Sequence, residues 1–181
     1  MNHDFLTIGF TLPEFFDGEA ERIVRLLDTD IDLVHIRKPG AARDDMSRLI
    51  QAIPALYHPR LRIHDCFDLL NEFDLAGAHL NSRNPEAPAG CPSVTRSCHS
   101  LQELTVPLPD GSMPEYQTLS PIFDSISKPG YASRFNPMEL TPVIKGLNVV
   151  ALGGVTPDKL PLLRRAGFHG AAMLGCLWTQ P

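Results

Sequence analysis

Val149-Val150-Ala151-Leu152-Gly153-Gly154-Val155-Thr156-Pro157-Asp158 reads as a buried apolar strand that runs into two glycines and then a helix start. An unbroken apolar run without alternation fits a parallel strand covered on both faces. The glycine pair lets the backbone turn through positive φ and approach a ligand closely. Thr156 is placed to cap the following helix, with Pro157 at its first position, so exposed amides and the helix dipole point above the strand. That is a seat for a phosphate. The same residues also fit a plain strand-to-helix turn with no ligand, since glycine commonly punctuates turns.

Outward from this stretch, strands and helices alternate. Strands are predicted at Phe5–Thr11, Asp32–Arg37, Leu61–His64, Gly77–Leu80, Ser93–Ser97, Tyr116–Phe123, Val149–Leu152 and Gly170–Leu174. Helices are predicted at Gly18–Leu27, Asp44–Leu56, Cys66–Phe73, Pro137–Lys145 and Pro157–Arg165. Eight strands in βα alternation point to an α/β fold, a closed (β/α)8 TIM barrel, with functional groups at the carboxyl ends of the strands. The stretches Asn81 to Pro92 and Thr105 to Glu115 are too rich in Pro and Gly for full helices, and the sequence stops at Pro181 just past the last strand. The barrel is therefore expected to be compact, with outer helices shortened or missing and no closing helix. Bare barrel wall would favour pairing with a second copy as a homodimer.

At 181 residues, with 43% hydrophobic content, one domain over residues 1–181 is expected. The net charge of -5 and the lack of a basic run argue against a nucleic-acid scaffold but leave room for a compact anionic metabolite. Cys66, Cys91, Cys98 and Cys176 lack the paired spacing of a zinc or redox motif and read as reduced thiols. No apolar run approaches the roughly 20 residues of a membrane helix, and no basic targeting stretch opens the chain. A cytoplasmic protein without membrane partners is expected.

The barrel reading brings a set of polar residues to the strand ends: His35, Arg37, Lys38, His64, Asp65, His79, Asn81, Ser97, His99, Ser120 and Lys128, besides Gly153 and Gly154. Cations suit phosphate oxygens, a carboxylate suits magnesium, and neutral donors suit a heterocycle. Singly, each has an ordinary explanation. Arg37 fits a surface ion pair, Asp65 a helix cap, His79 a satisfied core histidine and Lys128 a solvated loop charge. Their joint placement favours a functional reading.

The segments Val34-His35-Ile36-Arg37, Ile63-His64-Asp65, Gly77-Ala78-His79-Leu80, Ser97-Cys98-His99-Ser100-Leu101, Ser120-Pro121-Ile122-Phe123 with Lys128, and Ala151 to Pro157 stand in a telling order. Together with Ala166-Gly167-Phe168-His169-Gly170-Ala171, that order resembles thiamine-phosphate synthases and their thiazole tautomerase relatives. The resemblance implies a barrel enzyme of thiamine biosynthesis. Such an enzyme joins an aminopyrimidine, supplied as its methyl diphosphate, to a thiazole phosphate and releases pyrophosphate. It further implies Arg37 and Lys128 on the pyrophosphate, Asp65 on a Mg2+ cofactor, Ser97 near the reacting centre, and the amides of Gly153 and Gly154 on the thiazole phosphate. His35, Lys38, His64, His79 and His99 would complete the substrate contacts.

The pattern departs from the synthases at named positions. His35 stands for a glutamine, the second cation after strand two is absent or shifted to Lys38, and His64 stands for an asparagine. Asn84 occupies the place of a second magnesium carboxylate, with the cation Arg83 beside it, and Gly175 that of a phosphate-binding serine. The tautomerase relatives share His35 to Arg37 and Arg96 to Leu101, but their catalytic histidine falls where this chain has Pro121. Two alternatives to the synthase therefore stand: a thiazole tautomerase using His35, His64 or His99, and a non-catalytic thiazole or thiamine phosphate binder.

Overall fold

Eight short strands, several of them mostly apolar runs such as Val149–Ala151, close on themselves in chain order. The structure, a computed structural model, describes residues 5–124 and 135–178. The barrel strands are β1 (Leu6–Phe10), β2 (Leu33–Ile36), β3 (Leu61–Ile63), β4 (Gly77–Leu80), β5 (Val94–Cys98), β6 (Gln117–Leu119), β7 (Val149–Ala151) and β8 (Gly170–Met173). Val34 lies opposite Leu61 and Ile36 opposite Ile63, while Gln117 to Leu119 lie opposite Val149 to Ala151. The (β/α)8 barrel expected from the alternation is thus the observed fold.

The chain divides into two compact units, Ile8–Val94 and Met1–Thr7 with Thr95–Pro181. Within the first, helix α1 (Glu19–Leu27) buries Ala20, Ile23, Leu26 and Leu27, and helix α2 (Arg43–Ala52) buries Met46, Leu49 and Ile50. Spacings of three and four residues put each set on one helix face. Each Ile, Leu or Met among them contributes about 1.5–3 kcal/mol when fully removed from water. In the second unit, α3 (Pro137–Ile144) packs on α4 (Leu160–Arg165), and α4 packs on β8.

The outer layer is thinner than the sequence suggests. The helix expected over Cys66–Phe73 is a 3-10 turn, Phe67–Asn71, entered through Cys66 at φ 55. The helix expected to reach Leu56 stops at Ala52, because Pro54 forces Ile53 into extended backbone (φ -90, ψ 129). The strand expected to reach Phe123 stops at Leu119, ahead of Pro121, which has no amide to continue a ladder. Asn81 to Pro92 hold no helix, and Thr105 to Glu115 hold only the last residue of a 3-10 turn, Glu103–Thr105, in line with their composition. Contrary to expectation, the last strand is followed by a single helical turn, α5 (Gly175–Trp178). Among the described residues no helix is long and apolar enough to cross a membrane, and none of the four cysteines is in a disulfide.

Closure between β8 and β1 requires close backbone approach. The Leu6 amide donates to His169 O at 2.9 Å, and a Cβ on Gly170 would come within 2.5 Å of Leu6 O. Gly170→Ala should lower the free energy of unfolding in urea by about 1–3 kcal/mol through overpacking. An unchanged denaturation midpoint would contradict this tight closure.

Candidate active site

In the unit 8–94, the carboxyl ends of β2, β3 and β4 deliver three histidines to one place. His35 Nδ1 lies 2.9 Å from His64 Nε2. The His64 and His79 rings stack with centroids 4.2 Å apart at 26°, and Phe10 stacks on His35 at 4.6 Å. One ring nitrogen of each histidine lies within 4.8 Å of the others, and all three residues are buried.

Burial fixes their charge. Desolvation, then His79 and Arg62, holds His35 well below the ordinary imidazole range. Desolvation, then the neighbouring rings and guanidiniums, does the same to His64. His79 is brought down to about 3 by desolvation, then by Arg62 and Arg37. The cluster is therefore neutral at neutral pH, one donor and one acceptor nitrogen per ring. Neutral imidazoles can ligate metals, but the field of the buried Arg62 guanidinium on His35 and His79 opposes a cation there.

Next to the stack lies a carboxylate with cationic neighbours. Asp65, 8% exposed, accepts a hydrogen bond at Oδ1 from Asn84 Nδ2 at 2.8 Å, with Arg83 Nη2 3.5 Å away. Asn84 Nδ2 also donates to His64 O at 2.9 Å. Two acceptors on one nitrogen fix the amide orientation. The turn that carries these groups is built by Asn81, whose Oδ1 accepts from the amides of Arg83 and Asn84 at 3.0 and 3.3 Å. Arg37 is partly buried, and its guanidinium makes no hydrogen bond or ion pair among the described residues. Burial, then Arg83, lowers its pKa, and Asp65 raises it. Arg83 is the member of this group that the sequence reading noted only as a nearby charge; the Asn81-Ser82-Arg83-Asn84 turn was its signal.

A magnesium ion needs hard oxygen ligands, and shared carboxylates are the usual source. Asp65 offers Oδ2, buried and without a partner among the described residues. Asn84, expected as the second ligand, instead turns its nitrogen toward Asp65 and donates to it. One carboxylate beside two guanidiniums does not fit a magnesium site of the two-carboxylate kind.

Lys38 departs from expectation. It is fully buried and donates to Leu12 O at 2.9 Å, Glu14 O at 2.7 Å and Glu19 Oε1 at 2.5 Å. All three ammonium protons are used, so Lys38 anchors the chain after β1 and has none left for a substrate. Burial lowers the Lys38 pKa and raises that of Glu19, while their mutual attraction opposes both shifts.

In the second unit, His99 is exposed, and its Nδ1 lies 3.2 Å from Ser120 Oγ. The Glu103 carboxylate accepts from Ser100 Oγ and from the His99 amide, each at 2.9 Å. Ser97 lies on β5 with partial exposure. Gly153 and Gly154 have φ of 90 and 61. Their closest neighbours are protein: a Cβ on Gly154 would meet Asp124 O at 2.3 Å, and one on Gly153 would meet Pro121 Cα at 2.8 Å. Both glycine amides nonetheless make no hydrogen bond among the described residues. Thr156 does not cap through its side chain as expected. Its hydroxyl donates to Asp158 Oδ1 at 2.6 Å, and the segment it opens is a 3-10 turn, Pro157–Lys159, leading into α4. Gly175 starts α5, where Cys176 Sγ donates to Val155 O at 3.8 Å. Lys128 lies outside the described residues.

The neutral histidines make a pH prediction. As pH falls below about 6.5 the unfolded chain protonates these rings, while folded His79 stays neutral to about 3. Stability is thus complete above that range and lost as pH falls through it, by up to about 1.4 kcal/mol per pH unit per ring. Urea melts between pH 7 and 5 should show a shallower pH slope for His79→Asn than for the parent chain. Equal slopes would contradict a neutral buried ring.

A profile of the family described as thiamine monophosphate synthase matches residues 13–177. The chain is 28% identical over 174 residues to the putative thiamine-phosphate synthase 2 of Aquifex aeolicus, covering 88% of this chain and 89% of that protein. Among solved structures, thiamine phosphate pyrophosphorylase from Bacteroides thetaiotaomicron superposes with a TM-score of 0.83 at 35% identity, covering 98% of this chain and 86% of that one. The pyrophosphorylase from Pyrococcus furiosus has a TM-score of 0.75 at 18% identity, covering 94% and 86%, which bears on fold alone.

Proposed function

This chain belongs to the thiamine monophosphate synthase family, a family of transferases in thiamine biosynthesis, and we propose that it condenses an aminopyrimidine methyl diphosphate with a thiazole phosphate. The carbon–oxygen bond to the diphosphate breaks, with the electron pair leaving on pyrophosphate. The thiazole nitrogen then donates its pair to the pyrimidine methylene, giving thiamine phosphate.

The observation that carries this reading is the Arg37 guanidinium, without a hydrogen bond or ion pair among the described residues, near Arg83 and beside an uncharged histidine stack. Cations held near the departing diphosphate stabilise the negative charge it gains. Neutral rings of His35, His64 and His79 do not repel the positive charge that develops on the pyrimidine. The amides of Gly153 and Gly154, without a hydrogen bond among the described residues, suit the thiazole phosphate together with Gly175, while Ser97 suits the reacting centre and Lys128 a further diphosphate contact. The work is positioning and electrostatics, with no nucleophilic side chain required.

A second reading, thiazole tautomerisation, rests on His99. Burial keeps His35 and His64 from acting as acids at neutral pH, whereas His99 is exposed beside Ser120. An assay of the pure protein with both substrates separates the two. Thiamine phosphate should form, with kcat/KM falling about a hundredfold or more in Arg37→Ala and little in His99→Ala. Isomerisation of the thiazole without condensation, abolished by His99→Ala, would overturn the synthase reading.

A further inference from the structure

We propose that Arg37 and Arg83 bind the diphosphate directly, with no divalent cation required, Arg83 and Asn84 taking the places of a metal ion and its second carboxylate. The inference rests on the diphosphate reading given above and specifies how that group is held. It starts from charge. With the histidines neutral, the groups at the ends of β2, β3 and β4 are two guanidiniums and one carboxylate, so the site is already net positive. A site of two carboxylates is negative and needs a metal before it can accept an anion. Here Asn84 is neutral and satisfies Asp65 as a donor, at 2.8 Å.

Arg83 is free enough to turn to a ligand. Its link to Asp65 is long, at 3.5 Å, and its side chain is 44% exposed. A loose, solvated ion pair of this kind contributes little and is readily exchanged. Its backbone is fixed, since the Arg83 amide donates to Asn81 Oδ1 at 3.0 Å. Arg37 is fixed from the other side: its amide donates to Thr11 Oγ1 at 2.9 Å. Two guanidiniums on ordered backbone, each a planar fork of donors, match the oxygens of a diphosphate.

The test is calorimetric titration of the full chain with inorganic pyrophosphate, once in EDTA and once with excess magnesium. The parent protein should bind in EDTA, with an affinity that magnesium changes by less than about threefold. Arg83→Ala, at an exposed position that the fold tolerates, should weaken binding in EDTA at least about tenfold. Asn84→Asp restores a carboxylate pair and should weaken binding in EDTA while making it respond to magnesium. Circular dichroism establishes that each variant is folded. Binding that appears only with magnesium, binding in EDTA untouched by Arg83→Ala, or no binding in either condition would overturn the proposal. Pyrophosphate binding as described, in a protein that forms no thiamine phosphate, would uphold this site and overturn only the synthase reading.

Discussion

Burying a carboxylate is costly unless hydrogen bonds or opposite charge compensate it, and Asp65 is where the unit 8–94 meets that cost. Asn84 answers one oxygen with a neutral donor, Arg83 adds charge at a distance, and the other oxygen stays without a partner. The arrangement needs the Asn81 turn, which holds both residues, and the His64 carbonyl, which shares the Asn84 amide. Removing any one of these would leave Asp65 less compensated. The balance is local, and it makes the surroundings cationic.

The same desolvation acts on the histidines with the opposite outcome. An imidazole can shed its proton, so burial beside Arg62 makes the rings neutral instead of recruiting partners for a charge. The buried layer at the ends of β2 to β4 thus separates two tasks. Neutral rings occupy the interior, and the guanidiniums of Arg37 and Arg83 supply charge at its more exposed margin. A reaction whose leaving group is an anion and whose other fragment becomes cationic calls for that separation.

The barrel was legible because strands such as β2, β7 and β8 are short, mostly apolar runs next to turn signals; β4 was read with the bounds it has, Gly77–Leu80. Helix ends were less legible, since Pro54 stops α2 at Ala52, four residues short of the Leu56 that the apolar spacing suggests, and the left-handed Cys66 leaves no apolar signature. The site was legible as a set of residue types but not as orientations. Lys38 sits next to Arg37 in sequence, yet a strand end sends neighbouring side chains opposite ways, and its partner Glu19 lies far back in the chain. Gly153 and Gly154 read correctly as a positive-φ turn, but their demand for space comes from Pro121 to Asp124, which no local pattern reveals. Arg83 acquires meaning only once the Asn81 turn brings it to Asp65.

Guanidiniums and a metal ion would hold a diphosphate in different places. A crystal structure of the protein grown with pyrophosphate and magnesium decides this most directly. The result predicted is a diphosphate bridged by the guanidiniums of Arg37 and Arg83, with Asn84 still donating to Asp65. A diphosphate reached from Asp65 through a metal ion, with Arg83 turned to solvent, would contradict it.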